Sequence, residues 1–154
     1  MNADALPLDR DTMRLIAEIG FLGTDTGAHV AARALFKSLQ VLRPDSTLPF
    51  IGRAMAELAD NKAEEAARIL RDEGLKLNPT DPEVKTFLGL ALHAAGRDGE
   101  ARTVLASVVA EDPSSTEPYI RMAVKLLSSL AGAAQPASLM PRWTKPAVEA
   151  GKAT

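Results

Sequence analysis

Cysteine is absent from the 154 residues, which excludes disulfides, thiol nucleophiles and cysteine-ligated metals. Histidine occurs only at His29 and His93, without a metal-ligand spacing such as H-x-x-x-H, so neither a metal nor a cofactor is expected. Aromatic residues make up 4% and β-branched residues are sparse beside Ala and Leu, a balance that favours helix over sheet. Positive charge is not in excess. Eighteen Lys and Arg face 20 Asp and Glu, for a net charge of −2, and no basic stripe is present to neutralise a run of phosphates, so nucleic acid is not an expected partner. No apolar run approaches the roughly 20 residues that span a bilayer. The opening MNADALPLDRDT carries acids and a proline where a secretory signal needs a basic start and an apolar stretch. The expectation is a cytoplasmic chain with no membrane insertion.

The usual marks of catalysis are missing too. There is no nucleophile elbow, P-loop or G-x-G-x-x-G. The phrase GTDTG (Gly23–Gly27) has no strand before it and no lysine after its second glycine, so it is read as a turn. The acid pairs Glu64-Glu65 and Asp72-Glu73 are assigned to solvated helix faces, since acid–base work needs a cleft. No enzymatic activity is expected.

What is present is a core and a period. Hydrophobic residues make up 46%. Pro44, Pro79 and Pro113 close the similar phrases VLRP, LKLNP and AEDP at intervals of 35 and 34 residues. A tetratricopeptide repeat is about 34 residues long, two antiparallel helices with a proline near its end. The expected fold is therefore all-α: a tetratricopeptide-like stack of about three helix pairs with a C-terminal capping helix. A lead-in covers 1–12, the helical domain 13–131, with units at about 13–46, 47–81 and 82–115 and a cap at 116–131. A flexible tail rich in Ala, Gly and Pro, 132–154, holds Trp143.

The third unit fits the pattern best. Asp81 caps its first helix, Pro82 takes the first helical position, and Gly96 ends the helix in a left-handed turn. Ala101 and Leu105 follow at the packing positions of the second helix. The middle unit is one residue long. Its extra residue belongs near Gly74 or near Ala66-Ala67, and Asn61 with Glu64 reads as an N-cap pair.

Stacked helix pairs twist into a superhelix whose concave face is lined by the first, or A, helix of each pair. Positions 2, 5, 9 and 12 of each unit are expected to face that groove. They are Arg14, Ala17, Phe21 and Thr24 in the first unit, and Glu83, Thr86, Leu90 and His93 in the third. Glu117, Ile120, Val124 and Leu127 follow on the capping helix, and Gly52, Ala56 and Ala59 in the middle unit. Phe21, Leu90, Ile120, Val124 and Leu127 would form an exposed apolar patch, and such patches mark partner sites. With Ala and Gly on the floor, the expected mode is a foreign amphipathic helix laid in the groove.

Two stretches carry a family likeness. RLIAEIGFLGTDTGAHVAARALFKSLQVLRPDS, followed by IGRAMAELADNKAEEAARIL and LGLALHAAGR, resembles the tetratricopeptide-like chaperones of type III secretion systems. LIAEIGFLGTDTG (Leu15–Gly27) is similar to the opening of the YscG-type co-chaperones of the needle subunit, and ALFKSLQVLRPDS to the chaperones of translocator proteins. The resemblance implies a chaperone that grips the amphipathic helix of a needle subunit in its concave face and prevents premature polymerisation. It implies a second small helical co-chaperone as a further partner; a homodimer is another arrangement that would cover the apolar face. The alternatives are a translocator chaperone of the same system and a general tetratricopeptide scaffold.

Overall fold

The computed structural model describes residues 9–132, so Trp143 and all but the first residue of the expected tail lie outside it. Among the described residues seven helices follow one another: α1 (Arg10–Asp25), α2 (His29–Leu42), α3 (Leu48–Ala59), α4 (residues 63–77), α5 (Pro82–Ala94), α6 (Asp98–Glu111) and α7 (Pro118–Gly132). No strand occurs among the described residues. Helices α1, α3, α5 and α7 pack side by side as one layer, and α2, α4 and α6 each wedge between two successive members of it. This is the tetratricopeptide-like arrangement of antiparallel pairs closed by a single last helix.

The turns show why the period exists. Each A helix ends on a residue with positive φ: Gly27 (86°), Asn61 (60°) and Gly96 (77°). In each, the next N–H reaches back five residues to a helical carbonyl: Ala28 to Gly23 (2.7 Å), Lys62 to Glu57 (2.8 Å) and Arg97 to Leu92 (2.8 Å). This closure satisfies carbonyls the helix leaves unpaired, and it favours glycine or asparagine at the left-handed residue. Asn61 is thus the terminator of α3 and not the N-cap of α4. Lys62 holds the N-cap position and makes no side-chain capping bond.

The proline phrases form the opposite turns. Ser46 N–H donates to Arg43 (3.1 Å), Asp81 to Asn78 (3.2 Å) and Ser115 to Asp112 (3.2 Å). Each bond closes a four-residue turn with proline at its second position, where a φ fixed near −65° is already correct. The side chain of the last residue of each turn then accepts from the N–H two residues on, at the entry to the next helix, and Asp81 is itself the N-cap. Ser46 Oγ accepts from Leu48 N–H (3.3 Å), Asp81 Oδ1 from Glu83 N–H (2.9 Å) and Ser115 Oγ from Glu117 N–H (3.3 Å).

The extra residue of the middle repeat can now be located. The positive-φ residues are 34 apart (27 to 61) and then 35 (61 to 96), whereas the prolines are 35 apart first (44 to 79). Both counts are met only if the insertion lies between 61 and 79. Within that window α4 changes winding: Ala63–Arg68 is α-helical, Ile69–Gly74 is π-helical, and Leu75–Leu77 returns to α. A π turn bonds i to i+5 and so takes up one residue more than an α turn while the helix runs on.

The core runs the length of the stack. Phe36, Leu39, Ala54, Leu70, Val84, Leu92, Leu105 and Leu126 are fully buried. Phe36 of α2 is the thickest knob. Its ring sits between two A helices at glycines, since a Cβ on Gly20 or Gly52 would come within 2.6 or 2.2 Å of it. Phe21 closes the third side at 5.0 Å between ring centroids. In the third unit Gly89 stands in the same relation to Leu105, at 2.5 Å.

Candidate partner-binding groove

Two openings lie along the A-helix layer. The first, about 450 Å³, has Met13, Ala17 and Phe21 of α1 as its floor, Arg10, Arg14 and Arg43 around its rim, and Leu48 at its far wall. The second, about 290 Å³, has Phe87 and Met122 as floor, Tyr119 and Pro118 at the side, and Glu83 and Glu117 on the rim. Leu48 lines both, so a single half-buried side chain at the start of α3 joins the basins into one groove.

Of the residues the sequence assigned to the groove, Ala17 and Phe21 line the first basin, each 4% exposed and so part of its floor. Arg14 also lines the first basin, and Glu83 and Glu117 line the second; the remaining assigned residues line neither. Gly52 is pressed against Phe36, and Ala56 is fully buried in the core. Ala59 is half-buried at the end of α3. Thr86 is fully buried and its hydroxyl donates to the Pro82 carbonyl at 2.8 Å. Leu90 is 2% exposed and Ile120 3%. Val124 is exposed and Leu127 half-buried. The expected exposed patch of Phe21, Leu90 and Ile120 with Val124 and Leu127 is therefore corrected: the first three are core. An inner A helix is covered along its middle by two neighbouring A helices and two B helices, which leaves its ends the more open parts.

His93 is likewise held by the fold. Its Nδ1 lies 2.6 Å from Asp98 Oδ1, and Nε2 is buried without a hydrogen-bond partner among the described residues. His29 pairs with Asp60, which Arg33 also engages, tying α2 to the end of α3. Hydrogen bonds from Arg33 and then His29 hold the Asp60 carboxyl down at about 2. Glu73 is more than a solvated acid, since Arg53 grips both its oxygens at 2.7 and 3.3 Å and also donates to Gln40 at 3.0 Å.

Leu48, Phe87, Tyr119 and Met122 were missed in the sequence as groove residues. One signal was available. Leu48 occupies the second position of its unit, where the neighbouring units carry Arg14, Glu83 and Glu117. Among the described residues no helix is long and apolar enough to cross a membrane, and no group of three His, Asp or Glu is placed to hold a metal.

Comparison with known proteins places this geometry. The tetratricopeptide repeat family model matches residues 57–127. No curated protein matches the chain. Two solved structures of the type III secretion translocator chaperone SycD from Yersinia enterocolitica are similar. One, an alternative dimer, has a TM-score of 0.62 at 20% identity and covers 81% of this chain and 96% of that one. The other has a TM-score of 0.59 at 20% identity, covering 81% and 87%. The class these comparisons define is a fold, a tetratricopeptide-like stack of helices.

Proposed function

We propose that this protein is a cytoplasmic chaperone of a type III secretion system that holds an amphipathic segment of an export substrate in the groove described above. The observation that carries this is the pair of apolar-floored basins joined at Leu48. Their floors are formed by the A-helix layer. The likeness to SycD over nearly the whole of that chain favours a translocator as the substrate; the needle subunit is the other candidate of the same system. The mechanism requires only binding. Half-buried Leu48 offers apolar surface that an aggregation-prone helix can bury, at about 25 cal/mol per Å² removed from water, over a floor of Met13, Phe21, Phe87 and Met122 that presents only small apolar areas.

Leu48→Asp tests this reading, because Leu48 is half-buried and belongs to both basins. Co-expression with a translocator and, separately, with a needle subunit should give a soluble complex with one of them, and Leu48→Asp should abolish it while leaving cooperative melting in place. If neither substrate is retained, the chaperone assignment fails and a general scaffold stands. A second copy is proposed to pack on the outer face of α1. There Leu15, Ile19 and Leu22 are 57%, 55% and 49% exposed on one helical stripe. An oligomeric state unchanged by Ile19→Glu would remove that arrangement.

A further inference from the structure

The groove changes sign along its length, and this deepens the chaperone reading, on which it rests. The second position of each repeat unit falls on the rim of this groove. Those positions are Arg14, Leu48, Glu83 and Glu117, spaced 34, 35 and 34 residues apart. The last three are equivalent in the structure as well as in the count, since each backbone N–H is capped by the side chain two residues before it. The repeat thus delivers one side chain per unit to one line, and the sequence writes basic, apolar, acidic, acidic along it.

The surroundings reinforce both ends. Arg10 and Arg43 join Arg14 around the first basin, where Glu18 is the single acid among the lining residues, so that end keeps an excess of positive charge. Arg14 is engaged only by the exposed Glu18 and Arg43 by the exposed Asp45, and such surface pairs hold little, about 0–1 kcal/mol. Arg10 makes no ion pair among the described residues. At the other end the carboxylates of Glu83 and Glu117 make none either, and Tyr119 stands beside them. Burial, then Asp81 and Glu117, push the Glu83 carboxyl above its ordinary range. Burial, then Glu117, Glu83, Asp112 and Asp81, do the same to the Tyr119 hydroxyl. Among the described residues no cation forms an ion pair at that end of the groove. An acid in the first turn suits a helix dipole, but a half-buried one facing other acids is held at a cost.

We propose that the groove takes an amphipathic segment in one orientation, set by charge: acidic residues of the partner lie at Arg10, Arg14 and Arg43, its apolar face lies over Leu48, and its basic residues lie at Glu83 and Glu117. With neighbouring helices 8–10 Å apart, the path from α1 to α7 is roughly 27 Å, which a helix of about 18 residues covers at 1.5 Å per residue. Charge complementarity of this kind fixes register and orientation more than total affinity.

The probe is a set of synthetic, fluorescein-labelled 18-residue helical peptides with one Leu/Ala face. One carries glutamates at one end and lysines at the other, one glutamates at both ends, one lysines at both ends, and one glutamines throughout. Binding to the full-length protein is read by fluorescence anisotropy at low and high salt. The bipolar peptide should bind about tenfold more tightly than either uniformly charged one, the sum of a few rim pairs, and the advantage should shrink in 0.5 M salt. A Glu83→Lys/Glu117→Lys variant should transfer the preference to the peptide with glutamates at both ends. Glu83→Gln should weaken the bipolar peptide yet raise the melting temperature, which separates lost binding from lost folding.

Equal affinity for the bipolar, uniform and neutral peptides overturns the charge order and leaves the apolar groove standing. Failure of all four to bind overturns both. Competition by a synthetic 133–154 peptide, or by raised concentration of the protein itself, would give the groove to the chain's own residues or to a second copy and overturn the proposal.

Discussion

Gly52→Ala separates two placements of one residue. Counted along the repeat, Gly52 belongs to the groove floor. In the structure a Cβ there would lie 2.2 Å from Phe36 Cε1 and 2.3 Å from Cδ1 and Cζ, where carbon atoms prefer about 3.5–4.0 Å. The ring cannot retreat. It is fully buried, Gly20 meets its other side where a Cβ would sit at 2.6 Å, and the Phe21 ring blocks the third. Helix propensity alone would make the substitution stabilising by about 1 kcal/mol. Overpacking costs about 1–3 kcal/mol, and an overlap of more than 1 Å against a wedged ring belongs at or above the top of that range. The net expectation is a loss of about 2 kcal/mol, or a fall in Tm of roughly 4–8 °C for a chain of this size.

Circular dichroism at 222 nm during heating and urea titration measures it, and Phe36→Leu supplies the second edge of a double-mutant cycle. The two changes together should cost at least about 1 kcal/mol less than their sum, because the smaller side chain makes room. A Gly52→Ala variant that is more stable than the parent, with no coupling to position 36, would refute the packing argument and return Gly52 to the open face.

Two further outcomes follow from burial and charge. Leu90→Glu should abolish cooperative melting rather than selectively remove partner binding, because the carboxylate would enter a site 2% exposed; a folded, soluble Leu90→Glu protein on native-state thermal melts would show that the site is open. Asp60 should contribute to acid denaturation. Its carboxyl sits at about 2 in the folded chain against about 3.9 when unfolded, so its stabilisation is complete above the unfolded value and is lost as pH falls from about 4 through about 2. Urea midpoints across that window should decline less steeply for Asp60→Asn than for the parent, and parallel declines would remove Asp60 from the account.

The period, the helix class and the turn residues could all be read in the chain itself, because each is set locally. Proline fixes φ at the second residue of a turn, and glycine permits the left-handed closure, wherever they stand. Even Asn61 follows this rule, although its side chain suggested a cap; asparagine serves both purposes, and only the path of the chain selects one. The groove was harder to read. Whether Leu90, Ile120 or Gly52 meets solvent depends on which neighbours surround the helix, and an inner A helix has four. Repeat counting assigns a face to each residue but not what covers that face. Leu48, Phe87, Tyr119 and Met122 became a site only when α3, α5 and α7 were laid side by side, and the extra residue of the middle repeat found its place only as a π turn in α4. Local geometry is written residue by residue, while exposure is a property of the assembled stack.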